Sequence, residues 1–247
     1  MKLRSLILLG IIAPCVSFGA TYTGNGQSGF GGAVGNGSLV ITDDGTNLSF
    51  TFNRGSSAFN DALVIYLDTV AGGATSLPTS GEIGAPFGGR RAIVNEFGSG
   101  VTFPTAFASD YAFALRANDF NHLFTTPSGS NANDLGFVAT YTVGNFSNTS
   151  ASSYTWSIPV SDLGLAPNSG ATLKFITTYL NPYGGTGSDA SFRSNEAFGH
   201  DPGVTNIGFD NYTFPTGSTL TYTIIPEPAS AALGLIGSLL LLRRRRI

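Results

Sequence analysis

The chain has 247 residues, a formal charge of −3 from 12 basic and 15 acidic side chains, and only 11% charged residues. So sparse a charge leaves solubility to Ser, Thr, Asn and the 33 glycines, and it argues against coiled coils and basic nucleic-acid-binding domains. The 12% aromatic content argues against disorder, because buried rings stabilise a fold.

At the start, Lys2 and Arg4, the apolar stretch Leu6 to Val16 and the small residues Ser17, Gly19 and Ala20 follow the order of a secretory signal peptide. The run falls short of the ~20 apolar residues of a membrane span. Cutting after Gly19 puts Ser17 and Gly19 at the small-residue positions, so residues 1–19 are read as the signal peptide, with cuts after Ala20 or Ser17 as alternatives. Pro14 directly before Cys15 disfavours a lipid-modified cysteine. Cys15 is the only cysteine, so the mature chain forms no disulfide and offers neither thiol chemistry nor a Cys-ligated zinc site. Its stability must come from an apolar core, which a domain of about 200 residues can build.

Residues 20–225 show no heptads and no long 3.6-residue periodicity. Short β-rich runs alternate with Gly, Asn, Asp, Ser and Pro clusters, the pattern of an all-β sandwich. The glycine-rich start, Gly24 to Gly37, reads as an edge strand or a loose arm. An Asp43-Asp44-Gly45 turn joins Ser38–Thr42 to a strand that points Leu48, Phe50 and Phe52 one way and Ser49 and Thr51 the other. Ala62 to Leu67 is continuously apolar and reads as a central strand covered on both sides. Further strands are expected at Ala92–Asn95, Tyr111–Leu115, Phe137–Val143, Tyr154–Ile158, Leu173–Leu180 and Thr219–Ile225, with large loops at Ala71–Gly89 and Asn181–Gly203. Eight or nine strands fit a single domain of two packed antiparallel sheets, of jelly-roll type. The strand Val64-Ile65-Tyr66-Leu67-Asp68, followed by Ile158-Pro159-Val160-Ser161-Asp162-Leu163-Gly164, resembles the DOMON-like and family 9 carbohydrate-binding-module-like sandwiches between about Phe59 and Asn195. That resemblance implies a sandwich that binds sugars, haem or calcium; no ligand residue carries over, because neither a pair of binding aromatics nor an axial His/Met pair is evident.

Catalytic signals are sparse. His122 and His200 lie in no metal-ligand spacing, no Gly-x-Ser-x-Gly elbow occurs, and Glu82, Glu96 and Glu196 are the carboxylates available for a glycosidase pair. The chain is therefore read as a non-enzyme. Trp156 shares a strand face with Tyr154 and Ile158 and is expected in the core. Tyr179 and Tyr183 flank Asn181-Pro182 at the mouth of a polar loop and are the candidate carbohydrate platform. Asp43 with Asp44, Asp61 with Asp68, and Asp189 with Glu196 are candidate calcium ligands, but none forms a dense Asp-x-Asp-x-Asp loop, so turn chemistry is the favoured role and no cofactor is assigned. Five Asn-x-Ser/Thr triplets, at Asn36, Asn47, Asn145, Asn148 and Asn211, follow from composition; their polar content suits strand surfaces that hydrogen-bond hydroxylated polymers.

The end of the chain carries the most specific signal. Pro226-Glu227-Pro228 precedes the uncharged segment Ala229 to Leu242, then Arg243, Arg244, Arg245, Arg246 and Ile247. Fourteen helical residues rise about 21 Å, short of the ~30 Å hydrocarbon core, so the arginines must snorkel or the bilayer must thin. Four arginines in a row mark the cytoplasmic side, which places the body outside the inner membrane. The three parts in this order, residues 226–247, resemble the PEP-CTERM sorting signal of Gram-negative bacteria. The resemblance implies recognition of Pro226-Glu227-Pro228 by a membrane-embedded, cysteine transpeptidase-like exosortase, then delivery to the cell surface or an exopolysaccharide-rich matrix such as a biofilm. A marginal helix behind a stiff Pro-x-Pro segment suits a removable tail, with a permanent anchor as the alternative. Removing both ends leaves residues 21–225 with six basic and fourteen acidic side chains, a net −8.

Overall fold

The computed structural model describes residues 19–77, 88–94, 100–128, 134–183 and 192–225. Strands β1 (Ala20–Thr23), β2 (Ser38–Asp43), β3 (Asn47–Asn53) and β10 (Ser153–Pro159) form an antiparallel sheet in the order β1-β2-β3-β10. Period-2 alternation explains its orientation: Leu39 and Ile41, Leu48 to Phe52, and Tyr154 to Ile158 are buried at every second position. The opposite face carries Ser49, Thr51, Thr155 and Ser157, in cross-strand register. The expected turn joins β2 to β3, with Gly45 at φ 82° and the Asp44 carboxylate accepting from the Thr46 hydroxyl (2.7 Å) and the Asn47 amide (2.6 Å). The Thr46 hydroxyl, foremost among these donors, pulls the Asp44 carboxyl down to about 2.

The larger sheet runs β13-β12-β11-β4-β7-β8-β9, from β4 (Ala62–Asp68), β7 (Tyr111–Arg116), β8 (Phe120–Thr125), β9 (Gly136–Thr140), β11 (Thr172–Asn181), β12 (Phe192–Ser194) and β13 (Asn206–Gly208); β15 (Leu220–Thr223) also pairs with β11. As the apolar run requires, β4 is central and buried on both faces. Leu63, Ile65 and Leu67 face the four-stranded sheet, whereas Ala62, Val64 and Tyr66 face a second core. That second core is covered by α1 (Gly88–Ile93) and a small sheet of β5 (Ser76–Leu77), β6 (Val101–Thr102) and β14 (Tyr212–Thr213). The fold is all-β with antiparallel main sheets; the β14–β6 pair in the small sheet is parallel. The chain passes between the main sheets three times, from β3 to β4, from β9 to β10 and from β10 to β11; because β10 pairs with β3 while β11 pairs with β4, the first and last of these crossings run along adjacent paths. Between them Trp156 stacks on Phe50 (5.2 Å, 3°) and on Phe113 (5.2 Å, 19°), aromatic packing that contributes about 0.5–1.5 kcal/mol per pair beyond burial.

Three expectations need correction. The strand expected at Ala92–Asn95 is the end of helix α1, with Ala92 and Ile93 buried and Asn95 outside the described residues. So short an apolar run has no decisive period, and Gly88 and Gly89 let a helix press on Phe120 and Phe124, where Cβ atoms would meet the rings at 2.8 and 3.2 Å. The described residues contain fifteen strands rather than eight or nine, because β5 and β12 lie in segments read as loops and β1, β6, β8, β13 and β14 are short or polar. The Gly24–Gly37 segment is neither a ladder strand nor loose: Ala33 and Val34 are fully buried in it.

Candidate functional site

The glycine-rich arm folds around one carboxylate. Glu196, just past β12, is 1% exposed. Its Oε1 accepts from the amides of Phe30 (2.7 Å) and Gly32 (3.0 Å), and its Oε2 from Val34 (2.9 Å) and Gly35 (3.1 Å). Gly31 and Gly32, at φ 90° and 83°, let successive N–H groups converge into an anion-holding nest. With four donors on two oxygens, Glu196 has a structural task and is no longer available as a glycosidase acid or base; Glu82 and Glu96 lie outside the described residues.

Beside this nest, the arm and the following loop leave an open cleft of about 590 Å³, lined by Gln27, Ser28, Gly29, Asn195, Asp201, Gly203, Val204 and Thr205. Asn25 fastens the loop from behind by donating to the carbonyls of Asn195 (2.7 Å) and His200 (2.8 Å). The Asn195 amide donates to Gln27 Oε1 (3.1 Å) and Val204 O (2.8 Å) and accepts from Gly29 N (3.0 Å). Gln27 Nε2 donates to Asp201 Oδ2 (2.7 Å), and Gly203 N to Asp201 Oδ1 (2.8 Å). No single residue here stands out in the sequence; the cleft arises because an arm near residue 27 meets a loop near residue 200.

The two tyrosines chosen from sequence are not brought together. Tyr179 lies on β11 with its side chain fully buried, stacked on Phe59 (5.9 Å, 18°), its hydroxyl accepting from Asp61 N (3.2 Å). Burial pushes its phenol pKa up. The expectation of an exposed Tyr179 is therefore corrected: β11 reaches Asn181, and the inward face that buries Leu173 and Phe175 extends to Tyr179. Tyr183 is 40% exposed, donates to Asp119 Oδ2 (3.1 Å), and has the Arg116 and Arg91 guanidiniums 4.9 and 5.4 Å from its ring centroid. Those cations compete for the ring surface on which a sugar would stack.

The histidines are apart in environment as well as in sequence. His122, on β8, shares a hydrogen bond with Thr140 Oγ1 (3.0 Å), whereas His200 packs on Tyr212 and Phe214, where burial lowers its pKa to about 4. Arg193, unmarked in the sequence, is 1% exposed and donates to Thr178 Oγ1 (2.7 Å). Asp43 accepts from the Tyr222 hydroxyl (2.5 Å) and the amides of Gly45 (2.9 Å) and Ile225 (3.1 Å), and Asp68 pairs with Lys174 (3.2 Å), so both serve the fold. Asp189 lies outside the described residues, among which no group of three His, Cys, Asp or Glu is placed to hold a metal ion.

Pro226, Glu227, Pro228, the segment 229–242 and Arg243–Arg246 lie outside the described residues, as do residues 1–18 of the expected signal peptide. No helix among the described residues is long and apolar enough to cross a membrane. The flanking ends meet: Gly19, Ala20 and Tyr22 line one groove with Thr223 and Ile225, and the Tyr22 hydroxyl donates to Thr221 O (2.6 Å). Comparisons with protein families, curated proteins and solved structures return no match.

Proposed function

We propose that this is an exported cell-surface or extracellular-matrix protein, sorted by an exosortase and serving as a structural or exopolysaccharide-associated component of a biofilm, without enzymatic activity of its own. The observation that carries this reading is the order Pro226-Glu227-Pro228, fourteen uncharged residues, four arginines. In this account residues 1–19 direct export across the inner membrane of a Gram-negative cell, and residues 229–242 hold the chain in the bilayer until processing. The body is a jelly-roll-type sandwich. Two features of it support the reading. The segments leading to the signal peptide and the tail leave the domain side by side, with Ile225 fastened by Asp43 one bond before Pro226. The outer face around Thr51, Thr155, Ser49 and Ser157 is hydroxylated and uncharged, as contact with a neutral polymer requires.

A sugar-binding module is the second reading, and the amide- and carboxylate-lined cleft favours it. The sorting reading is tested by Glu227→Ala in the producing cell, with the C-terminal mass of surface protein as the readout. Full-length protein should accumulate in the inner membrane; surface protein with an unchanged C-terminus would sink the exosortase assignment.

A further inference from the structure

We propose that the cleft between the glycine-rich arm and the 195–205 loop binds a neutral saccharide unit through its hydroxyl groups. The proposal builds on the reading of a polymer-associated surface protein, but its evidence is independent of the sorting tail. The cleft, at about 590 Å³, falls within the roughly 300–1,000 Å³ of small-ligand sites.

Its chemistry selects the ligand. Asp201 is exposed and receives one N–H on each oxygen, so about two of its four acceptor positions stay open, enough for a vicinal diol. At Gly29, oxygens from Asn206, Asn195 and Thr205 crowd so closely that a Cβ would lie 2.2, 2.5 and 2.8 Å from them. Asn206 Oδ1 is buried behind that wall without a hydrogen-bond partner, so the acceptor open to the cleft is Asp201. A carboxylate with two open acceptor positions calls for a ligand that presents paired donors. Hydroxyl groups also accept, which matches the remaining hydrogen of Gln27 Nε2 and the hydroxyls of Ser28 and Thr205. The described lining residues include one carboxylate and no basic side chain, so uronic and sulfated sugars are repelled. Gln27, Asn195 and Asp201 already hold one another in place, so binding freezes few rotamers.

Affinity gel electrophoresis of the full chain in mild detergent tests this, with a neutral mannan, a neutral β-glucan or alginate cast into the gel. At least one neutral polymer should retard the protein while alginate does not. Asp201→Asn, Gln27→Ala and Thr205→Val should each weaken apparent affinity about ten-fold or more, with circular dichroism confirming that at least two of the three stay folded. Tyr183→Ala, whose ring lies against Arg116 and Arg91 away from the cleft, should leave retardation unchanged. The proposal is overturned if neither neutral polymer retards the wild type, if alginate alone does, or if a chelator abolishes retardation. It is equally overturned if folded cleft variants bind like the wild type, or if the same loss appears in Tyr183→Ala. Because the unprocessed chain is used, failure here leaves the sorting assignment standing, and failure of sorting leaves this result readable.

Discussion

Glu196 and Asp201 stand on the same loop and touch the same glycine-rich arm, yet their surroundings differ completely. Glu196 is buried and takes four backbone amides, whereas Asp201 is exposed and takes one amide side chain and one backbone N–H. A carboxylate whose acceptor positions are filled from within is a structural element; one with positions left over can meet a ligand. The difference teaches that the arm has two halves. Residues 30–35 lock it to the loop, and residues 27–29 form the wall of a cleft.

The largest expected effect comes from forcing those halves apart. A Cβ on Gly35 would lie 1.9 Å from Gln27 O, a backbone atom that cannot swing aside. Gly35→Ala should therefore cost about 3 kcal/mol or more in urea unfolding and should weaken the cleft at the same time. A cost below ~1 kcal/mol would show that the arm adjusts freely, which would break the comparison.

Acid should act on the same loop with a somewhat smaller effect. His200 is held neutral by burial, with its folded pKa near 4 against about 6.5 unfolded. Between those values the unfolded chain binds the extra proton, so this contribution to stability is complete above about pH 6.5 and falls as pH drops toward 4. The loss between pH 7 and pH 5 should be roughly 2 kcal/mol, and His200→Phe should lack this part of the pH dependence. An unchanged pH profile in that variant would show that His200 is accessible and would loosen the picture of a rigid loop.

Tyr183→Ala should have the smallest effect. Its ring serves two partly exposed guanidiniums and its hydroxyl an exposed Asp119, so unfolding should shift by less than about 1 kcal/mol. A shift of several kcal/mol would mean that this second polar cluster is as structural as the Glu196 nest.

How much of this could be read from the chain depends on the range over which each feature acts. Alternation in β3 and β10 and the double-sided burial of β4 were legible because period-2 patterning acts within six or seven residues. Trp156 was legible as core for the same reason. Helix α1 was not, because a short Gly-Gly-Arg-Arg-Ala-Ile run becomes helical through the rings of β8 beneath it. Tyr179 departs from its expected exposure because the inward face of β11 runs up to it, although Asn181-Pro182 signals a loop two residues on. The nest and the cleft were invisible: Glu196 lies more than 160 positions from the amides it accepts, and Gln27 lies 174 from Asp201, so no local spacing marks either.

Urea unfolding of Glu196→Gln and Asp201→Asn, measured side by side at neutral pH, tests the division between these two carboxylates most directly. The first places an NH₂ group against buried N–H donors and should lose about 3 kcal/mol or more, whereas the second should lose less than ~0.5 kcal/mol. Equal losses in the two variants, or a larger loss in Asp201→Asn, would contradict the assignment of one to the fold and the other to a ligand.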